Sequence, residues 1–143
     1  MKIEIWSDIM CPFCYIGKRQ LETALAEFPS DEFEIEWKSF QLDPTITPQS
    51  DKDVFTFLAE RKGISVEQSI EMHKGVTERA KSVGLDYHFD KAVISNSLTS
   101  HRIIQLAKTK KLGDAMEEIF FKAYFTEGRD LNDPETLTEL AVK

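Results

Sequence analysis

The 143-residue sequence predicts an α/β fold that opens with a parallel βαβ unit and continues as helices to its C-terminus. Three observations predict it. Apolar and polar residues alternate in residues 2–7 and again near 33–42, as in half-buried strands. Between these segments, and repeatedly after Pro48, apolar residues return at helical spacing instead. Capping residues and glycines then punctuate the later segments where helices would start and stop.

In order along the chain, Ile3 and Ile5 alternate with Lys2, Glu4 and Trp6 before a break at Ser7-Asp8, which predicts a strand over 2–7. From Pro12 to about Phe28, the positions Ile16, Leu21, Ala24, Leu25 and Phe28 trace one face of a helix that Pro29 closes. Phe33, Ile35 and Trp37 alternate with Glu34, Glu36 and Lys38, so a second strand is expected near 33–42. A crossover helix between two strands makes them parallel and the connection right-handed.

Past Pro44 and Pro48, Ser50, Asn96 and Asp133 suit N-caps, Ser65 with Gln68 suits a capping box, and Pro134 suits a first helical position. Gly63, Gly84, Gly113 and Gly128 follow periodic segments as helix stops would. Helices are therefore predicted at 51–62, 66–83, 97–110, 113–126 and 134–143, with an irregular stretch around Asp86 to Ser95. No internal repeat is evident.

Hydrophobic residues are 41% and charged residues 30% of the chain, a composition that folds as a soluble globular protein. A chain of this length buries roughly 70% of its unfolded surface and needs no disulfide framework. The formal charge of −7 argues against nucleic acid as a partner. Lys108, Lys110 and Lys111, the only basic cluster, suit a solvated helix end. Met1 leads straight into the alternating strand, with no apolar run suited to a signal peptide or membrane span, so a cytoplasmic location is expected.

Cys11 and Cys14 are the only cysteines, two residues apart, at the point where the first strand hands over to the helix. Disulfide exchange needs a thiolate, and an ordinary thiol of pKa about 8.5 is only slightly ionised near neutral pH. Unpaired N–H groups and the positive dipole end of a helix N-terminus favour an anion there, by at most about 1.5 pKa units from the dipole itself. Cys11 is thus expected to be the nucleophile. Cys14, further into the helix and expected to be less exposed, would resolve the mixed disulfide. Pro12 and Phe13, between the thiols, would tune potential and access.

Other features have blander readings. A zinc site needs four ligands, and His73, His88 and His101 have no spacing that completes one with the cysteines. Trp6, Met10 and Phe13 are candidates for an apolar substrate rim, with Trp6 equally suited to the core. His101 and Arg102 fit a helix whose histidine is satisfied locally. Phe120, Phe121, Tyr124 and Phe125 recur as a buried helix face does.

The stretch Ser7-Asp8-Ile9-Met10-Cys11-Pro12-Phe13-Cys14-Tyr15-Ile16-Gly17 resembles the active-site segment of DsbA-like oxidoreductases of the FrnE type. Phe40-Gln41-Leu42-Asp43-Pro44, Asn96 through His101-Arg102, and Ala123-Tyr124-Phe125 with Asp130-Leu131 extend that resemblance over essentially the whole chain. It implies a thioredoxin-like fold: residues 1–45 form the N-terminal βαβ part carrying the cysteine site, and 46–143 form an all-helical insertion domain. Family members continue into a β-hairpin, a last helix and a cis-proline loop. Here Pro134, the last proline, belongs to a helix start, so the second thioredoxin half is expected to be absent. Residues 2–7 should then present an open sheet edge, covered by another copy of the chain, a rearranged segment or a complementary fragment.

The resemblance implies exchange with protein or small-molecule thiols and disulfides, with no bound cofactor and with glutathione as a candidate redox partner. Kappa-class glutathione transferases and 2-hydroxychromene-2-carboxylate isomerases share the fold, but typically have serine at the position of Cys11. Glutaredoxins lack room for so long a helical segment. A helical binding or chaperone module, with incidental cysteines, is the non-enzymatic alternative.

Overall fold

The computed structural model describes residues 1–48 and 51–142. Strand β1 (Lys2–Ser7) pairs in parallel with β2 (Glu34–Ser39), in a register that sets Lys2 beside Glu34 and Ser7 beside Ser39. Helix α1 (Pro12–Leu25) makes the crossover. Helices α2 (Val54–Lys62), α3 (Val66–Ser82), α4 (Leu98–Lys108), α5 (Gly113–Phe125) and α6 (Pro134–Ala141) follow. The mixed α/β class, the parallel pairing and the sequence of helices match the pattern read from the residues. Among the described residues the sheet has two strands, which leaves the outer edge of β1 without a neighbouring strand.

Several boundaries moved, each for a local reason. Helix α1 stops at Leu25 rather than Phe28, because Pro29 disfavours helical geometry at the residue before it and Phe28 turns to meet Phe33 edge-on at 5.7 Å. A short 3₁₀ turn at Ser30–Glu32, not foreseen, leads into β2. Strand β2 ends at Ser39 rather than 42. The Phe40 N–H still reaches Ser7 O, but the Leu42 N–H turns to the Asp8 carboxylate.

The expected N-cap at Ser50 lies outside the described residues. Asp53 caps α2, its side chain accepting from the Thr56 N–H at 2.7 Å. The Ser65–Gln68 capping box and the Asp133 cap with Pro134 behind it are formed as read. At α4 the cap position falls on Ser97, yet the Asn96 side chain takes the Leu98 N–H. Gly113 does not stop a helix: it opens α5, and Lys111 supplies the left-handed turn before it. A Cβ at Gly113 would lie 2.6 Å from Lys108 Cγ, so a larger residue there would have to displace the Lys108 side chain. Lys108 is not a solvated helix end, since its ammonium donates to Trp37 O at 2.8 Å and pairs with Glu36.

One apolar cluster runs from Ile9, Tyr15 and Ile16 through residues 85–94 to α4, α5 and α6. Helix α5 is its spine, with Phe120, Phe121 and Phe125 almost wholly buried. Tyr15 stacks on Phe121 at 4.8 Å and Tyr87 on Phe125 at 4.7 Å, which fixes α1 against the helical part. On the sheet, Trp37 is buried and donates its indole N–H to Asp114, while Lys2, Glu4, Glu36 and Lys38 on the other face form a lattice of ion pairs.

Removing the ring that joins these layers is expected to be severe. Phe121→Ala should lower unfolding free energy by about 3–5 kcal/mol, whereas Leu106→Ala, on an exposed side chain, should change it by no more than about 0.5 kcal/mol. Urea denaturation of both variants measures the contrast.

Candidate active site

The site forms where β1 gives way to α1. Ser7, Asp8 and Ile9 are buried, so the backbone enters the loop from inside the protein. Cys11 is extended (φ −91°, ψ 114°) and occupies the N-cap position of α1, with Pro12 at the first helical position. Its N–H donates to Asp8 O at 2.9 Å and its carbonyl accepts the Cys14 N–H at 3.1 Å. Tyr87 clamps the same turn from the far side, its hydroxyl donating to Pro12 O at 2.5 Å.

Both thiols are free and half-buried, so the contrast in exposure expected between them is not present. They behave as a pair that shares a proton. For Cys14, the hydrogen bond from Cys11 leads; burial opposes it, and the Asp8 N–H and Ser7 hydroxyl add to it, bringing the thiol down to about 6. Ser7 Oγ has no other partner at hydrogen-bond distance, which leaves its hydroxyl free to turn toward that sulfur. Once Cys14 carries the charge, its hydrogen bond, burial and like-charge repulsion push Cys11 far up, against the Cys14 and Phe13 N–H groups that favour charge on Cys11. The reading of a low pKa on Cys11 alone is therefore corrected. The pair loses its first proton readily and its second with great difficulty, because two adjacent thiolates repel.

The Asp8 carboxylate braces this loop. Oδ1 accepts from the Met10 N–H at 3.3 Å and lies 3.2 Å from His101 Nε2, while Oδ2 accepts from the Leu42 N–H at 2.9 Å. Burial works against its charge, but His101, Leu42, Ser97 and Met10 together hold it below the usual carboxylate range. His101 Nε2 thus finds its partner across 93 residues of sequence rather than locally, a correction to the sequence reading, while its buried Nδ1 has no partner among the described residues. Arg102 beside it is exposed.

A cavity of about 370 Å³ opens beside Cys11. Its walls are apolar, with Met10, Pro12 and Phe13 from the cysteine loop facing Phe57, Val76 and Phe89. Of the candidate rim residues, Met10 and Phe13 line it and Trp6 does not. Trp6 is 60% exposed, so it belongs to neither the core nor the cavity wall. His73 lines the cavity with its ring bonded to Ser69 O, and His88 pairs with Asp86. Among the described residues no three His, Cys, Asp or Glu side chains are placed to hold a metal ion.

Sequence reasoning did not single out Asp8, Tyr87 or Glu117. Glu117 is fully buried on α5, and its carboxyl is pushed up to about 8, first by burial and then by the Cys14 charge. Helical periodicity could have found it, because position 117 falls on the same face as Phe120, Phe121 and Tyr124. Asp8 and Tyr87 carried no such signal.

The profile of the family described as DSBA-like thioredoxin domain matches residues 2–143. Among curated proteins, uncharacterized protein YwbO of Bacillus subtilis (strain 168) is 28% identical over 146 residues, spanning 97% of this chain and 64% of its own. Among solved structures, the probable DsbA oxidoreductase SCO1869 from Streptomyces coelicolor superposes with a TM-score of 0.90 at 38% identity, covering 99% of this chain and 62% of that one. Cytosolic disulfide reductase DsbM from Pseudomonas aeruginosa shares the fold, with a TM-score of 0.68 at 16% identity over 99% of this chain and 63% of its own. The chain thus spans somewhat under two thirds of the length of each relative.

The brace at Asp8 gives the fold a measurable response to acid. Unfolded, this carboxyl takes up a proton at about pH 3.9, whereas the folded protein resists protonation. The stability it contributes is therefore whole above that pH and is lost as pH falls through the lower folded value. Urea midpoints taken from about pH 6 to about pH 2 should fall more steeply for the wild type than for Asp8→Asn, with the two curves converging at the acid end.

Proposed function

The chain belongs to the DSBA-like thioredoxin domain family, and from that premise we propose that it is a thiol–disulfide oxidoreductase working through Cys11 and Cys14. One observation carries the proposal: two free thiols lie within one turn of each other at the amide-rich start of α1, with Cys11 lining an apolar cavity. Cys11, giving its proton to the Cys14 thiolate, attacks one sulfur of a substrate disulfide, forms a mixed disulfide and releases the other sulfur as a thiolate. Cys14 then attacks Cys11 Sγ, closing the Cys11–Cys14 disulfide and releasing the second substrate thiol. Two electrons pass to the substrate. The same steps run backward when the protein oxidises a dithiol.

Cys11 is the better entering group because it sits at the cap, beside the cavity wall, whereas Cys14 lies within the first turn. Pro12 and Phe13 set the spacing and part of the wall that an incoming chain meets. Protein or small-molecule thiols and disulfides are the substrate class, with glutathione as a candidate redox partner. Two structural neighbours, a probable DsbA oxidoreductase and a cytosolic disulfide reductase, agree with this chemistry. A cytoplasmic setting is part of the same reading; separately, no described helix is long and apolar enough to cross a membrane.

In this reading, residues 1–45 are the part of a thioredoxin-like domain that carries the thiols, and 46–143 are a helical insertion that walls the cavity. The open edge of β1 pairs with a further strand, from a second copy or a complementary segment. Light scattering at micromolar concentration is expected to show self-association, and a stable monomer would exclude the second copy.

The activity is tested by insulin reduction with dithiothreitol. Wild type should accelerate it, Cys11→Ser should reduce the acceleration to background, and Cys14→Ser should accumulate a mixed disulfide visible by mass spectrometry. Iodoacetamide labelling of the cysteine pair should stay faster than that of a free cysteine peptide down to about pH 6, the value to which the Cys14 thiol is brought down. Labelling of the pair no faster than the peptide would remove the basis of the proposal.

A further inference from the structure

Tyr87 reaches the cysteine loop from the irregular stretch between α3 and α4. It is buried, with its ring stacked on Phe125 at 4.7 Å and edge-on to Phe89 at 5.5 Å. The residue after it is tied to α5 as well, since the His88 N–H donates to Phe125 O at 2.7 Å. The hydroxyl that donates to Pro12 O at 2.5 Å is therefore held there by a ring with little room to move. Burial first, then Tyr15 and the two cysteines, push the phenol pKa up, so the group stays a donor through the neutral range.

The Pro12 carbonyl belongs to the same peptide unit as the Phe13 N–H, and that unit is trans. A trans peptide conjugates these two groups and points them in opposite directions. Tyr87 thus pulls on one end of a unit whose other end is presented at the opening of α1. Among the first three residues of that helix, Pro12 has no N–H and the Cys14 N–H goes to Cys11 O at 3.1 Å. The Phe13 N–H is left, among the described residues, without a backbone acceptor. It favours charge on Cys11, as the Cys14 N–H does. Hydrogen bonds in a chain polarise one another, so a donor on the carbonyl makes the N–H beyond it a better donor.

Resting on the oxidoreductase reading above, we propose that Tyr87 is a positioning residue for the reaction: its hydroxyl polarises the Pro12–Phe13 peptide, so that the Phe13 N–H draws the negative charge of the thiol pair onto Cys11 Sγ. This chain opposes the Asp8 N–H and the Ser7 hydroxyl, which hold charge on Cys14. The charged groups nearby have other attachments. Arg79 of α3 lies over the Phe13 ring at 5.6 Å, and Arg19 of α1 is paired with Glu118 of α5. Asp8, from the loop after β1, and Glu117 of α5 are both coupled to Cys14.

A sulfur in a disulfide has no charge for the Phe13 N–H to hold, so the chain of hydrogen bonds favours the reduced pair. In exchange with oxidised glutathione, two electrons pass from the pair to glutathione. The Cys11–Cys14 bond forms, the glutathione S–S bond breaks, and the two glutathione sulfurs take up protons from the pair and from solvent. Loss of the Tyr87 hydroxyl moves this equilibrium toward the protein disulfide.

Ionisation is read in the full chain on Cys14→Ala, where Cys11 is the single thiol, from the rate of iodoacetamide labelling across pH. Adding Tyr87→Phe, which keeps the stacked ring, should raise the midpoint by about 0.5 pH unit, a loss of about threefold in ionisation. Replacing Tyr87 by 3-fluorotyrosine, a stronger donor of nearly the same shape, should lower the midpoint instead. With both cysteines present, the glutathione equilibrium should lie about threefold further toward the disulfide in Tyr87→Phe than in wild type. Midpoints that coincide, or that move the same way for both substitutions, would overturn the proposal. If Tyr87→Phe loses its urea unfolding transition, the fluorinated protein alone decides, and a midpoint no lower than with tyrosine overturns it. Opposite shifts in a protein that fails to accelerate insulin reduction would uphold the hydrogen-bond chain and sink the oxidoreductase reading. Accelerated insulin reduction with coincident midpoints would do the reverse.

Discussion

The Asp8 carboxylate is the constraint on which the rest of this structure hangs. It is buried, and its oxygens take the N–H of Met10, the N–H of Leu42 and the ring of His101, while its own carbonyl takes the N–H of Cys11. Those contacts join the ends of both strands, the start of α1 and the first turn of α4 at one point. A buried charge is tolerable only with such a set of partners, because each lost donor leaves desolvation uncompensated. The side chain therefore specifies the loop geometry more than it adds stability. Tyr87 completes the arrangement from the opposite side, so the first turn of α1 is held between a carboxylate behind it and a phenol over it.

Around the thiols, two electrostatic tendencies meet. The N–H groups at the opening of α1 favour a single negative charge. The Asp8 charge works against a thiolate on Cys14, and charge on Cys14 in turn pushes up the buried Glu117 carboxyl. A thiol pair in such surroundings gives up one proton readily and resists losing the second. The monoanion is the form that disulfide chemistry uses, and its location on one sulfur or the other is settled by small local shifts in donors.

Much of the fold was legible because the signals are local. Alternation at Ile3 and Ile5 and at Ile35 and Trp37 gave both strands, and the capping box at Ser65 and the cap at Asp133 gave helix starts. The errors arose where a distant partner decides. Strand β2 stops short because Leu42 turns to Asp8, Gly113 opens a helix after the left-handed turn at Lys111 and lies against the Lys108 side chain, and Lys108 is drawn to Trp37 O. At the site, the cysteine spacing announced itself, but the Asp8–His101 pair spans 93 residues and no spacing rule reaches that far. Glu117 stood midway. Its phase on α5 pointed inward, yet a charged residue within an apolar face reads as an exception until its surroundings are known.

The two tryptophans, placed so differently, give the protein a pair of optical reporters. Trp37 is 3% exposed, flanked by Phe121 and bonded to Asp114, and should emit toward the blue and resist acrylamide. Trp6, at the solvent-facing end of β1, should emit toward the red and be quenched freely. Whatever covers the margin of that strand would shield one chromophore and leave the other unchanged, so a single spectrum distinguishes docking at the sheet from loosening of the interior.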